Sequence, residues 1–343
     1  MKRIPTLDGW RGIAVLLVLA DHVRFALHAE ASPGVATGQH GVTIFFVLSG
    51  FLITSKLMEE KNATGSIDLR SFYVRRFFRL MPAAWVFLLL AAIGAVISDR
   101  SATAARAILS SLFFWRNYAY LFGPDHGLTG HFWSLSIEEQ FYLVWPFLMV
   151  IAGRRAIRWV AVTGAVAIAF YRFVSWDRLI QLPLWKICGT HLRADALLIG
   201  CVAALFLPLI KTYLRAWMAL PLLAALIACF IHYRALIPAS ESLTIAALLL
   251  VTSQCRTAVF QVLDWKPLAF LGTISYGVYL WQQLFMLEVY GGGSVYLSFA
   301  FFAGAVTTSY LFIEKPLMER GRMLTRRKAL ISGAPEPVEA AQY

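Results

Sequence analysis

Apolar stretches alternate with short polar ones along this chain up to about position 313. Each apolar stretch holds roughly 17 to 22 residues, enough for a helix to cross the hydrocarbon core of a bilayer. We therefore predict an all-α fold, a polytopic membrane helix bundle of about ten transmembrane helices. The predicted spans are 10–28, 40–57, 82–98, 131–151, 156–172, 192–210, 216–232, 238–255, 268–289 and 294–313.

Three further segments are not predicted to span. Residues 70–80 are basic and aromatic, which indicates a helix lying in the inner interface before Pro82 opens the third span. Residues 104–122 are predicted to form a partial or interfacial helix on the outer side. We expect residues 1–314 to form one membrane-embedded domain and the basic residues 315–343 to be a disordered cytoplasmic tail.

The composition agrees with this pattern, because 59% of the 343 residues are hydrophobic, 15% are charged and the mean hydropathy is +0.66. A soluble domain of this size does not have such a composition. The net charge of +12 suggests nucleic acid at first, but most of the 31 Lys and Arg residues fall in loops on one predicted side. By the positive-inside rule that side, with both termini, is cytoplasmic. We therefore expect a multi-pass protein of the inner (plasma) membrane with no nucleic-acid partner.

The N-terminus also admits another interpretation, a cleavable secretion signal running from Met1 to Ala31. Four ionisable residues interrupt its apolar core and argue against a signal: Arg11, Asp21, His22 and Arg24.

The cysteines lack any C-x-x-C pairing, so we interpret them as packing residues and expect no disulfide framework and no metal. They are Cys188, Cys201, Cys229 and Cys255.

Arg11 and His22 lie in the first predicted span, where ionisable side chains are costly and therefore rarely accidental. Eleven residues of helix make about three turns plus 20°, so both side chains share one face about 16 Å apart. A guanidinium at the membrane edge can hold an anion, and an imidazole deeper in can move a proton. Each residue also has a structural interpretation, Arg11 as a headgroup anchor and His22 as an interhelical hydrogen-bonding group.

Small residues mark the second span, and basic residues mark the interfacial helix before the third. Ser49 and Gly50 lie in the middle of the second span, where they let a ligand or, more simply, another helix approach closely. Arg75, Arg76 and Arg79 lie within about one and a half helical turns, so at least two share a face. Guanidinium groups bind phosphate bidentately, which predicts an anion site, with contact to anionic lipid as the alternative.

The segment H-F-W-S-L-S-I-E-E-Q-F-Y, from His131 to Tyr142, places two adjacent carboxylates inside a predicted span. A buried carboxylate must be paired with a cation or carry a proton. Because neighbours on a helix point about 100° apart, one of Glu138 and Glu139 can pair with an arginine while the other faces a cavity. The sequence does not determine which, and a purely structural pair is the alternative.

Other polar groups in the spans are candidates for substrate binding or for structural roles. Trp133 and Tyr142 flank the two carboxylates, and Arg193 and Asp195 begin the sixth span. Residues 276–282 add polar groups to the ninth span, and there, as for Arg193 and Asp195, we favour interhelical hydrogen bonds. The sequence contains no Gly-rich phosphate loop, metal-ligand cluster or nucleophile elbow.

Taken in order, these motifs resemble the integral-membrane acyltransferase-3 family over nearly the whole chain. The resemblance rests on L-D-G-W-R-G-I-A-V-L-L-V-L-A-D-H, F-F-V-L-S-G-F-L-I-T, R-R-F-F-R-L-M-P, W-S-L-S-I-E-E-Q-F-Y and I-S-Y-G-V-Y-L-W. Each motif is weak alone, but five in this order and spacing are specific. The family's signature positions map onto Arg11 and His22 (R-x10-H), Ser49 (S-G-F), Arg75, Arg76 and Arg79 (R-R-F-x-R), and Glu138 and Glu139 (E-E-Q-F-Y).

The resemblance implies acyl transfer, most often of acetyl, from cytoplasmic acyl-CoA to a sugar hydroxyl. Together with the residue pattern it predicts that Arg11 and the 75–79 arginines hold the phosphates of acyl-CoA, the co-substrate. His22 would be the general base or, as the alternative, the acyl carrier, with Glu138 or Glu139 orienting it. Many relatives have a histidine where Gln282 stands, so we expect no proton transfer there. We also expect no fused extracytoplasmic esterase-like domain.

We therefore predict a membrane O-acyltransferase acting on a surface or exported glycan or a glycosylated metabolite. Its partners would be the lipid bilayer, acyl-CoA and a glycan or lipid-linked saccharide. The chief alternative is a transporter or flippase that uses the intramembrane His, Glu and Arg residues as a path. A structural or signalling membrane protein is the third possibility. The acceptor and the oligomeric state are not determined by the sequence.

Overall fold

The computed structural model describes residues 4–26, 37–97, 101–122, 129–179, 181–182, 184–231, 239–255, 257–290 and 294–332. Within these ranges all regular secondary structure is helical. The α-helices are α1 Pro5–Ala26, α2 Thr37–Thr64, α3 Leu69–Ile97, α4 Ser101–Leu112, α5 Phe132–Ile151, α6 Arg154–Val174, α7 Trp176–Leu179, α8 Thr190–Ile210, α9 Ala219–Ile231, α10 Ser240–Gln254, α11 Lys266–Thr273, α12 Ser275–Tyr290, α13 Val295–Thr308 and α14 Lys315–Ser332. Short 3₁₀ helices cover Arg116–Phe122, Leu184–Ile187, Ala216–Met218 and Ala258–Asp264, and a π-helical turn, Ser309–Glu314, joins α13 to α14.

Five helices among the described residues are long and apolar enough to cross a membrane. They are Thr37–Thr64, Leu69–Ile97, Arg154–Val174, Thr190–Ile210 and the continuous helix Val295–Arg326. The all-helical fold is therefore confirmed for the described residues, with five candidate membrane-spanning helices. The count of about ten spans and the cytoplasmic location of both termini stay predictions.

Polar side chains explain why some predicted spans fall short of this criterion. Helix α1 carries Asp8, Arg11 and Asp21, and α5 carries Glu138 and Glu139 in its middle. These charges lower the mean hydropathy of a helix without removing it from the bundle interior, because a buried charge is stabilised by its partners. These two helices, α1 and α5, also hold the candidate site residues Arg11, Glu138 and Glu139.

Close backbone contact between α2 and α8 forms the centre of the bundle. A Cβ atom built at Gly50 of α2 would lie 1.9 Å from the carbonyl oxygen of Leu197, and one at Gly200 of α8 would lie 2.1 Å from that of Val47. Only glycine allows two helices to approach so closely at these positions. The contact keeps α2 in place while its other face, which carries Ser49, points toward α5.

Helix α3 differs from the expected arrangement of a separate interfacial helix followed by a span that starts at Pro82. It is one continuous helix, Leu69–Ile97, with Pro82 in its interior. Pro82 cannot donate to the carbonyl of Phe78, four residues earlier, and membrane helices tolerate one such loss when neighbouring helices pack around it. Close by, the hydroxyl of Tyr276 donates to the Leu80 carbonyl at 2.7 Å and joins α12 to α3. The basic residues of α3 therefore lie on the same continuous helix as its apolar part.

The expected disordered tail is wrong for residues 315–332, which form helix α14; residues 333–343 lie outside the described residues. The basic composition of this segment suggested no packed helix. Met318, Arg322 and Thr325 nevertheless follow at intervals of four and three residues and so share one helix face. Thr325 is buried, and a Cβ at Gly321 would lie 2.9 Å from Cβ of Phe78 in α3. Packing against α3 therefore stabilises α14 despite its polar composition.

The segment predicted as a partial helix on the outer side is divided in two. Helix α4 ends at Leu112, Phe114 has a left-handed φ of 52°, and a 3₁₀ helix follows from Arg116 to Phe122. Twelve residues of α-helix extend about 18 Å, which is too short to cross the hydrocarbon core.

Replacing Gly50 with alanine should destabilise the protein by about 1–3 kcal/mol, because its methyl group would collide with the α8 backbone and force the helices apart. The matched control is Gly94→Ala in α3, where a Cβ atom meets nothing within 4 Å. That change should be neutral or stabilising, since alanine favours a helix. Thermal unfolding of both variants in detergent measures the difference, and equal unfolding temperatures would contradict the close-packing argument.

Candidate active site

A cavity of about 230 Å³ lies among helices α1, α2, α3, α5, α12 and α14. The smallest cavity that holds one water molecule has about 10–15 Å³, so this cavity has room for an extended ligand. Its wall includes seven of the residues selected from the sequence: Arg11, Ser49, Arg75, Arg76, Arg79, Glu138 and Tyr142. Residues far apart in the chain thus meet around one space.

One part of the wall is strongly cationic. Besides Arg76, the described part of the chain contributes five cationic side chains from four helices: Arg11, Lys56, Arg75, Arg79 and Arg322. Lys56 lies within electrostatic range of the other four, and the carboxylate of Glu60 lies near Arg75. Cations held this close repel one another, so an anion bound among them would be strongly favoured.

Two arginines of this group, Arg11 and Arg75, differ in their hydrogen bonds. Arg11 is 9% exposed, and its Nη2 donates to Oγ of Ser275, the first residue of α12, at 3.1 Å. The Nη1 group of Arg75 is buried and makes no hydrogen bond to the described part of the chain. A buried N–H group normally has an acceptor, and the oxygen of a bound phosphate would supply one here.

The two adjacent glutamates of α5 have different environments. Glu139 pairs with Arg76 of α3, with Oε1 2.6 Å from Nη2 and 3.1 Å from Nε. Glu138 instead lines the cavity and accepts a hydrogen bond of 2.8 Å from Oγ of Ser49. The Arg76 guanidinium also covers the Tyr142 ring, 3.2 Å from its centroid. The structure therefore assigns the arginine pair to Glu139 and the cavity to Glu138.

Away from the cations the cavity wall is mainly apolar, with side chains such as Phe45, Phe46 and Leu52. Two of the hydroxyl groups in the wall, those of Ser134 and Tyr279, form a pair. Oγ of Ser134 lies 2.5 Å from the hydroxyl oxygen of Tyr279, and both groups also lie within hydrogen-bonding distance, 3.2 and 3.1 Å, of the His131 carbonyl oxygen. This Ser134–Tyr279 pair is the point where the cavity adjoins His131.

His22 is half-buried but does not line the cavity. Its Nδ1 lies 2.8 Å from the backbone carbonyl oxygen of Val18. Because a carbonyl only accepts, Nδ1 must be the donor, and the neutral ring then has its lone pair on Nε2. The imidazole lies within electrostatic range of His131. The structure thus puts Arg11 in the cavity wall and His22 outside it, within electrostatic range of His131.

The remaining candidates lie outside the cavity wall. Arg193 donates to Gln39 of α2 and lies over the ring of Trp133, 5.6 Å from its centroid. Asp195 accepts a hydrogen bond of 2.6 Å from Arg172 of α6. These contacts are interhelical, as favoured from the sequence for Arg193 and Asp195.

Sequence reasoning missed several residues of the cavity wall. Lys56 and Glu60 could have been found, because they follow Ser49 at seven and eleven residues and therefore share its helix face. Ser134 and Ser275 lie within quoted motifs but were not selected. The place of Arg322 in the cavity wall could not be predicted from local sequence, because it depends on how α14 packs against α3.

Comparison with known proteins agrees with this geometry. A family described as an acyltransferase domain matches residues 4–314. The chain belongs to this acyltransferase family. The match includes every helix that lines the cavity except α14, which begins one residue after it.

Two relatives extend the comparison. The chain is 32% identical over 372 aligned positions to the "Putative peptidoglycan O-acetyltransferase YrhL" of Bacillus subtilis (strain 168), covering 95% of this chain and 57% of that protein. It is 30% identical over 317 positions to the peptidoglycan O-acetyltransferase OatA of Listeria monocytogenes, covering 82% and 49%. The chain thus spans about half the length of these relatives. No solved structure matches it.

Changing Glu139 to glutamine should destabilise the protein on the order of 3 kcal/mol, because it leaves the guanidinium of Arg76 without its counter-charge. The matched control is Glu138→Gln, which removes a neighbouring charge from the cavity wall but keeps an oxygen that can accept from Ser49. Its effect should stay below about 1 kcal/mol. Unfolding in detergent compares the two variants, and an equal loss would contradict the different roles of the two glutamates.

Proposed function

We propose that this protein is a membrane O-acyltransferase that transfers an acetyl group from acetyl-CoA to a hydroxyl of a peptidoglycan-like glycan. The observation that carries the proposal is the shape and charge of the cavity, which is cationic at one part of its wall and mainly apolar elsewhere. Acetyl-CoA has the matching form, a phosphorylated nucleotide joined to a long, uncharged arm that ends in a thioester.

The cationic residues would bind the phosphates of the donor. Arg11, Lys56, Arg75, Arg79 and Arg322 offer many N–H donors in one region, and guanidinium groups suit phosphate oxygens because they donate two parallel hydrogen bonds. Glu138 would accept from an amide N–H of the donor's arm, because it lines the cavity beside Ser49. The thioester would reach the Ser134–Tyr279 pair.

The cationic part of the cavity would face the cytoplasm, where acetyl-CoA is made. This orientation follows from the basic residues near Lys56, along 70–79 and in α14, which are expected on the cytoplasmic side of a plasma membrane. Both termini would then be cytoplasmic as well. His22 would lie farther from that surface, where an acceptor can arrive from the opposite side.

The proposed chemistry is base-catalysed acyl transfer. The acceptor hydroxyl attacks the thioester carbonyl carbon while Nε2 of His22 takes its proton. A carbon–oxygen bond forms, the carbon–sulfur bond breaks, and the departing thiolate takes the proton back from the imidazolium. The hydrogen bond from Nδ1 to Val18 selects the tautomer in which Nε2 of the neutral ring has the lone pair and can act as the base. The names of the two relatives support a peptidoglycan acceptor.

Changing Arg322 to alanine should raise the KM for acetyl-CoA about tenfold, because it removes a charge-assisted contact to phosphate. Arg320→Ala provides the matched control, since Arg320 is exposed on the same helix and does not line the cavity. Initial rates at varied acetyl-CoA concentration measure both effects. Equal KM values for the two variants would argue against a donor site at this end of the cavity.

Changing His22 to alanine should lower acetyl transfer about 10²- to 10⁴-fold, the usual contribution of a general base. The assay combines purified protein in detergent, labelled acetyl-CoA and the disaccharide repeat of peptidoglycan. Acetyl-CoA binding should be unaffected, because His22 does not line the cavity.

His191→Ala is the control for this experiment, because His191 is an exposed histidine of α8 that stacks on Tyr118. It should transfer at the wild-type rate. Normal transfer by His22→Ala would refute the assigned role. A wild-type protein that leaves acetyl-CoA intact would refute the enzymatic proposal and favour a transporter.

A further inference from the structure

Three buried, uncharged polar side chains lack hydrogen-bond partners in the described part of the chain. The exposed fractions of His131, Trp281 and Gln282 are 5%, 3% and 0%. Nε1 of Trp281 and both amide atoms of Gln282 make no hydrogen bond to the described residues. The ring nitrogens of His131 make no well-aligned hydrogen bond there either, although the ring interacts with the backbone of Leu280. Native proteins leave very few such groups unsatisfied, so this concentration of them requires an explanation.

The bundle satisfies comparable groups elsewhere. Nε1 of Trp10 donates to Thr252 at 3.0 Å, and Nε1 of Trp145 donates to Thr54 at 2.9 Å. The fold therefore supplies partners to buried indoles when their role is structural. Trp281 has none among the described residues, so its N–H group is available there to a bound ligand.

Ring contacts place the unsatisfied groups in one region. The ring of Phe87 lies 5.2 Å from that of His131 and 5.5 Å from that of Trp281, between centroids. The His131 ring is also 5.8 Å from the ring of Tyr279. Gln282 follows Tyr279 by three residues and therefore lies on the same face of α12.

This neutral cluster of His131, Trp281 and Gln282 adjoins both parts of the proposed reaction. The Ser134–Tyr279 pair separates it from the cationic cavity, since both hydroxyls contact the His131 carbonyl. On another side His22 lies within electrostatic range of His131. A ligand in the neutral cluster would therefore lie near the general base and near the end of the donor cavity.

We propose that the neutral cluster is the subsite that binds the hydroxyl groups of the acceptor sugar, an inference that rests on the proposed acetyl transfer. The indole N–H donates, the amide of Gln282 donates and accepts, and a neutral imidazole can do either. None of the three carries a fixed charge, so the cluster suits a neutral polyol rather than the phosphates bound by the cationic wall.

The test uses Gln282→Leu, with the disaccharide repeat of peptidoglycan as the ligand. Removing the amide should raise the KM for the disaccharide about tenfold and leave the KM for acetyl-CoA unchanged, because a sugar hydroxyl loses its partner. The unfolding temperature without ligand should stay constant or rise, because an unsatisfied polar group is replaced by an apolar one of similar size. The disaccharide should raise the unfolding temperature of the wild type and not of the variant.

Thr252→Val is the matched control, because it removes a hydroxyl that Trp10 uses and that lies outside the cluster. It should lower the unfolding temperature and change neither KM. His131→Leu and His131→Gln form a second pair: the first should weaken acceptor binding about tenfold, and the second, which keeps hydrogen-bonding atoms, should restore part of it.

Two results would overturn the subsite. The first is an unchanged acceptor KM and an unchanged disaccharide-induced shift in Gln282→Leu. The second is a loss of unfolding temperature as large as that of Thr252→Val, which would indicate a structural group satisfied by buried water. If the wild type transfers no acetyl group, the proposed function fails, and the shift in unfolding temperature alone then decides whether the cluster binds the sugar.

Discussion

A charged side chain inside an apolar helix bundle must have a partner or a polar space, and this constraint organises the protein. Arg76 pairs with Glu139 and thereby holds α3 against α5. Arg172 pairs with Asp195 and links α6 to α8. Other cations line the cavity instead: Arg11, Lys56, Arg75, Arg79 and Arg322. Since isolated charges are expensive in the bilayer, the positions of the ion pairs determine where a charged ligand can bind.

The interior is consequently divided by polarity. The cationic wall suits phosphate, the apolar wall suits an extended uncharged arm, and the neutral cluster beyond the Ser134–Tyr279 pair suits hydroxyl groups. His22 lies within electrostatic range of His131, with Nδ1 bonded to the backbone of its own helix. This arrangement offers different chemistry to a donor and an acceptor, which would let each reach the reacting atoms without competing for the same groups.

Much of the fold could be predicted from the sequence, because long apolar stretches can only be helices in a bilayer. The site residues Arg11, Ser49 and Glu138 were also found in this way, since polar groups in apolar stretches are rare. The prediction failed where composition and packing disagree. Pro82 suggested that a new helix starts there, yet α3 continues through it. The charges of α14 suggested disorder, yet the segment is helical because it packs against α3.

The sequence alone determined which residues had to be explained: an arginine and a histidine on one helix face, a cluster of arginines and a pair of adjacent glutamates. Helical periodicity suffices for this, because it is a local property. Only the tertiary structure decided that Glu139 holds Arg76 while Glu138 faces the cavity, and that Arg322 joins the cationic wall. These assignments depend on the rotation and packing of helices distant in the chain, which no local pattern encodes.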